Sequence, residues 1–386
     1  MGEIVVFTAL NQEKTLTDYE QIGFGVAANL ADGHAYQALT AGQSAVVERL
    51  AETWRTSEQE SIPASEDRYI KRFASIAGEP GVLAAADKFV LPTASNSIDL
   101  VSAYLKLRDS RVLLTHPTFD NLALLLRRRG VEPVPISEPE LIDPDALAAR
   151  LSTADVLFIV NPNNPSGRSF SETEFRSIVD NCVRNDVTVV VDASFRLFYA
   201  HQWDSYGVLQ EVGASYIVFE DTGKVFPTQD MKASILACSA DHMGVLRELY
   251  NEVYLCVSKF TLAVLGDFFE DAGKAGLKET VHDLVQHRRN LIRSAVPSWV
   301  LDPTAADSRI SVEWLTIEAL HRPDETVVDE LRRAGVAVLP GRGFFWNAHH
   351  RAEAQRNVRV SLMKPEREFL LGVEILGNFF AQESAQ

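Results

Sequence analysis

At 386 residues, 46% of them hydrophobic, the chain is long enough for a large domain with a smaller one beside it, and apolar enough to give each a core. Its formal net charge of -16 argues against nucleic acid as a partner, since phosphate binding needs clustered Lys and Arg, and suits a basic ligand better. Cys182, Cys238 and Cys256 lie far apart without zinc spacing or a disulfide framework, Met1 to Phe7 has no basic start and no apolar run reaches membrane-spanning length, so a soluble cytoplasmic protein with no metal is expected.

Residues 1–40 follow neither a helix nor a strand period and are expected to form a separate arm. The arm carries Leu16-Thr17-Asp18-Tyr19-Glu20 and Asn29-Leu30-Ala31-Asp32-Gly33-His34-Ala35. Between them, Gly23-Phe24-Gly25 follows no strand, which sets aside a nucleotide loop and leaves the glycines as a source of flexibility. Residues 41–75 place Val46, Val47, Leu50 and Trp54 at helical spacing. From about residue 85 short apolar runs alternate with amphipathic ones: Lys88 to Leu91, a helix from Ser97 towards Leu107, Val112 to Leu114, then a helix from Leu122 to Arg129. Continued to about residue 240, this is the pattern of an α/β fold, a mainly parallel sheet wrapped by helices. A helix-rich stretch from Val245 to Ala295 links it to strands at 312–315, 336–339 and 358–361 and a terminal helix, a smaller α+β unit. The expected division is 1–40, 41–285 and 286–386. His349-His350 lack the further ligands that a metal site needs.

Chemistry-bearing residues stand where the buried runs end. Val156 to Val160 leads into Asn161-Pro162-Asn163-Asn164-Pro165-Ser166-Gly167, Val187 to Val191 into Asp192, and Tyr216 to Phe219 into Glu220-Asp221-Thr222-Gly223-Lys224. In such sheets ligands bind beyond the carboxyl ends of the strands. Taken singly, Lys224 reads as a surface lysine, Asp192 as a helix cap, Asn164 as a turn residue and Phe119 as a core aromatic. Together with Arg359 in Val358-Arg359-Val360-Ser361, the order of turn Asn, strand-end Asp, Lys and late Arg resembles the fold type I pyridoxal-phosphate (PLP) enzymes, the aspartate-aminotransferase family with its seven-stranded sheet. The resemblance implies PLP as cofactor: Lys224 supplies the amine that condenses with its aldehyde, Asp192 holds the ring nitrogen, Asn164 the ring hydroxyl, and Phe119 stacks on the ring. The phosphate would lie on Ser95 and Asn96 in Thr93-Ala94-Ser95-Asn96-Ser97, with Ser194, Thr222 and Lys232 completing the shell. Arg359 would grip the carboxylate of an amino acid by a two-point bond. Two positions depart from the family: Phe195 stands where a Tyr is usual, and Lys232 where an Arg is usual.

The arm, with His116-Pro117-Thr118-Phe119-Asp120-Asn121, Ser194-Phe195-Arg196 and Glu220 to Lys224, is similar to one subgroup, the dioxygen-using PLP arginine oxidases and hydroxylases of enduracididine-type natural-product pathways. That similarity implies an arm folded over substrate, with Thr17, Glu20, Asp32 and Asp221 around the side chain, Asp221 facing its own site or the partner's in a homodimer, and His34 directing hydroxylation. A guanidinium out of water needs such carboxylates, although Glu20 and Asp32 alone read as solvated charges. The implied activity is oxidation of L-arginine with dioxygen, by 4-hydroxylation with oxidative deamination to 4-hydroxy-2-ketoarginine, by conversion to 2-ketoarginine, or by desaturation. Alternatives are an aminotransferase for a basic amino acid and a PLP-dependent cyclase of hydroxyarginine. A PLP-binding regulator would need a basic helix-turn-helix domain, for which the first forty residues leave no room.

Overall fold

The computed structural model describes residues 13–347 and 355–384; Met1 to Phe7 and His349-His350 lie outside the described residues. Twelve strands are described: β1 (Ala28–Asn29), β2 (Asp87–Leu91), β3 (Val112–His116), β4 (Val134–Ser137), β5 (Val156–Val160), β6 (Thr188–Asp192), β7 (Tyr216–Asp221), β8 (Ser234–Cys238), β9 (Val312–Thr316), β10 (Val336–Ala337), β11 (Leu339–Pro340) and β12 (Asn357–Ser361). Seven of them form one sheet in the order β2-β8-β7-β6-β5-β3-β4. Its strands are parallel except β8, which is antiparallel to both neighbours. β3, β5 and β7 are buried at every residue, because helices cover both faces of the sheet and no position is left for an alternating polar face.

The helix after β2 begins at Ala94, earlier than the periodicity suggests, because the hydroxyl of Thr93 accepts from the Asn96 amide at 3.1 Å and caps it. Ser95 and Asn96 therefore sit in a first helical turn. Behind the sheet, helices Ile62–Ala77 and Lys259–Ala275 pack together through Tyr69 and Phe73, whose ring centroids lie 5.5 and 6.0 Å from that of Phe269.

The smaller lobe carries a three-stranded antiparallel sheet, β11-β12-β9, in which Arg359 pairs with Leu339 on one side and Trp314 on the other. The run 336–339 is divided between two sheets, since β10 pairs with β1 of the arm and β11 with β12. The arm thus does not stand apart. Its helix Leu16–Gly23 and β1 are built into the smaller lobe, with Leu16 and Leu30 wholly buried, each worth about 2 kcal/mol in transfer terms. Gly23 serves close approach: a Cβ there would come within 2.5 Å of Asn29 Oδ1. No helix among the described residues is long and apolar enough to cross a membrane.

Candidate active site

The carboxyl ends of the parallel strands open onto a cavity. Ser95 reaches it from the capped helix, Phe119 from the turn after β3, Asn164 from the turn after β5, Asp192 and Ser194 from the end of β6, and Asp221 and Lys224 from the end of β7. Asp192 is buried. Its Oδ1 accepts from the Ser194 amide at 2.9 Å and the Ser194 hydroxyl at 2.5 Å. Burial pushes its pKa up to about 6 against those bonds, and Asp221 and Glu220 push the same way. Asp221 Oδ1 accepts from the Gly223 amide at 2.8 Å, which shapes the turn that presents Lys224. Lys224 Nζ itself has no hydrogen-bond or ion-pair partner among the described residues.

The opposite wall comes from the arm and β12. Glu20 and Gly33 line the cavity beside Arg359. Arg359 Nη2 donates to the Ala31 carbonyl and stands 3.7 Å from Glu20 Oε1, while its buried Nε has no partner. Gly33 allows this approach: a Cβ there would lie 3.3 Å from Arg359 Nη1. The arm is fastened to the turn after β3, the Leu16 amide donating to Asp120 Oδ2 at 2.9 Å.

The sequence model of the aminotransferase class I and II family matches residues 20–367. The chain belongs to that family. Among curated relatives it is 27% identical over 293 residues to a histidinol-phosphate aminotransferase of Symbiobacterium thermophilum, covering 73% of each chain. Among solved structures it is 34% identical to MppP soaked with the product 2-ketoarginine, with a TM-score of 0.86 over 91% of this chain and 99% of that one. An aminotransferase from Mycobacterium tuberculosis shares the fold at a TM-score of 0.78 over 97% of this chain and 99% of that one, with 16% identity. The protein is thus an enzyme of the PLP-dependent aminotransferase family, with the aspartate aminotransferase-like fold.

The residues of this family member fit that cofactor. An enclosed carboxylate at Asp192 has only neutral donors around it, so a protonated ring nitrogen would supply the charge it lacks. Asn164 has its side-chain Oδ1 buried without a partner, an orphan that a ring substituent would satisfy. The first-turn amides of Ala94 and Ser95 precede any carbonyl of their own helix and so face outward for an anion. Phe119 and the free amine of Lys224 flank the same space.

Other expected residues lie outside the cavity wall. Asn96 is turned to the Tyr254 hydroxyl at 3.0 Å, and the Thr222 hydroxyl is engaged by the backbone of Ala233, donating at 2.9 Å and accepting at 3.0 Å. Thr17 is exposed on the arm helix. Asp32 is buried and occupied, 2.7 Å from His34 Nδ1 and 3.2 Å from Lys364 Nζ. Burial would raise its pKa, but the His34 hydrogen bond and the Lys364 charge hold it well below the usual carboxylate range. His34 keeps its ring proton on Nδ1 against Asp32, leaving Nε2 to accept from Lys232 Nζ at 3.1 Å. Lys232 therefore reaches His34, and neither side chain lines the cavity. Sequence reasoning did not single out Lys364, Asp120 or Gly33, whose partners Asp32, Leu16 and Arg359 lie far away in the chain.

Proposed function

We propose that the protein oxidises L-arginine, or a close relative, using PLP and dioxygen without a keto-acid acceptor. The likeness that supports this most is to MppP, whose structure holds 2-ketoarginine and which matches 91% of this chain at 34% identity. PLP, when bound, supplies an aldehyde for the substrate amine and an electron sink for its α-carbon. Lys224, with no partner for Nζ, takes the α-proton and can return it. Asp192 keeps the ring nitrogen protonated. Arg359, with a free Nε beside its bonded Nη2, receives the substrate carboxylate, and Glu20 and Asp221 on the cavity wall face the cationic side chain. Phe195 lines the cavity without a hydroxyl to offer the ring oxygen, which favours onward oxidation over return of the amine.

In the simplest outcome arginine, dioxygen and water give 2-ketoarginine, ammonia and hydrogen peroxide; a product with one added oxygen is the hydroxylase outcome, in which His34 acts, and an unsaturated product the desaturase outcome. The enzyme works as a homodimer in the cytoplasm, consistent with Val253 and Leu255 standing 69% and 86% exposed beside Tyr254, which binds Asn96. A second reading, amino transfer from a basic amino acid, is favoured by relatives such as the histidinol-phosphate aminotransferase. Dioxygen uptake by the PLP-loaded protein with L-arginine alone, with products read by mass spectrometry, separates the two. Uptake is expected; its absence, with amino transfer on adding a keto acid, would establish the second reading.

A further inference from the structure

Behind the cavity, Arg196 is enclosed by two carboxylates. Its Nε lies 2.8 and 2.9 Å from the oxygens of Glu220, and its Nη1 lies 2.5 Å from Glu79 Oε1. The remaining acceptors are filled: the Tyr206 hydroxyl donates to Glu220 Oε1 at 3.0 Å, and the Ser205 amide and hydroxyl donate to Glu79 Oε2 at 2.8 and 2.9 Å. The three charged side chains are 9%, 3% and 1% exposed, so their charges are barely screened. Arg196 follows Ser194 and Phe195, and Glu220 precedes Asp221, all cavity residues; Glu79 adds the turn after helix Ile62–Ala77. One guanidinium therefore fastens the loop after β6 to the end of β7.

The charges also matter to the site. With both carboxylates ionised the cluster carries net -1, and Asp204, Asp221 and Asp192 add negative charge around it, with Tyr206 and Tyr69 as further titratable neighbours. Burial raises the pKa of both Glu79 and Glu220, and the Arg196 guanidinium works against that rise at each, so it is what holds carboxylate charge in the cluster. Without Arg196 the Glu220 charge would bear directly on Asp192.

We propose that Arg196 is a positioning residue for the cofactor site, which holds the Ser194-Phe195 loop against the Asp221 strand end and neutralises Glu220 behind Asp192. It rests on the cofactor reading and is independent of the substrate. Removing a buried positive charge raises the proton affinity of every group that it faced. In PLP-loaded Arg196→Met, the pH at which the visible absorption band of the bound cofactor changes should rise by about one unit, with weaker cofactor binding. The double variant Arg196→Met/Glu220→Gln should bring that pH most of the way back, which packing loss alone would not do. Glu220→Gln alone is nearly isosteric, keeps an acceptor for Arg196 and should lower the transition; it carries the test should Arg196→Met fail to fold. An unchanged transition in the folded variants overturns the proposal. A wild-type protein that forms no PLP band would refute the cofactor reading, and this proposal with it.

Discussion

Asp32 is gripped from both sides, by His34 at 2.7 Å and by Lys364 at 3.2 Å, with both carboxylate and ammonium buried. Removing one partner of such a pair leaves the other charge stranded, so Asp32→Ala should cost roughly 3 kcal/mol. Because its folded pKa is depressed, the stabilisation is present above the unfolded value of about 4 and is lost as the pH falls through that value and below. Denaturant titrations at pH 7 should separate variant from wild type, and the gap should close on acidification; a gap independent of pH would contradict the pairing. Gly33→Ala tests the other side of the arm. Its new methyl would stand 3.3 Å from Arg359 Nη1 and force the guanidinium to give way, so kcat/KM for the amino acid should fall about tenfold while cofactor absorbance is unchanged. Equal kcat/KM would remove Arg359 from the substrate site. At this scale Lys224, Asp192 and Asn164 were legible because each follows an unbroken apolar run. Lys364 was not, since its partner lies 332 positions away and only the tertiary fold brings the two together.

Among the elements, the arm is where local pattern fails. The alternation from β2 to β8 shows in the sequence because each strand is four to six residues long and mostly apolar, and the helices between them are amphipathic. β1 and β10 are two residues long, too short for a period, and their pairing is decided by the wholly buried Leu30 between them and β12. The Leu30 amide donates to Ala337 at 2.9 Å and its carbonyl accepts from Ser361 at 2.8 Å. One side-chain bond joins the arm's first turn to the large lobe, from the Leu16 amide to Asp120 Oδ2. Asp120→Ala should speed amide exchange over residues 16–23 by roughly tenfold, the equivalent of one buried hydrogen bond, and leave β5, β6 and β7 protected. Exchange unchanged over the arm helix would show that the smaller lobe alone holds it.

For the whole molecule, several carboxyls are enclosed at or near the cavity with raised pKa. Burial pushes Asp192 up to about 6, Asp120 up to about 7 and Glu79 up to about 8. Each binds its proton more tightly folded than unfolded, so stability is greatest below about pH 4 for these groups and declines as the pH rises through 6 to 8. The cofactor-free protein should therefore melt several degrees lower at pH 8 than at pH 6. PLP would reverse the Asp192 share, because a ring-nitrogen proton opposite the carboxylate turns an uncompensated charge into a paired one. Lifting the Asp192 carboxyl from its ordinary value to about 6 corresponds to roughly 3 kcal/mol. Stabilisation by PLP should thus be larger at pH 8 than at pH 5, measured by calorimetry with and without cofactor. The decisive comparison is Asp192→Asn, which keeps Lys224 and loses the carboxylate. If the variant shows the same pH-dependent gain as the wild type, the charge at Asp192 is not what the cofactor answers.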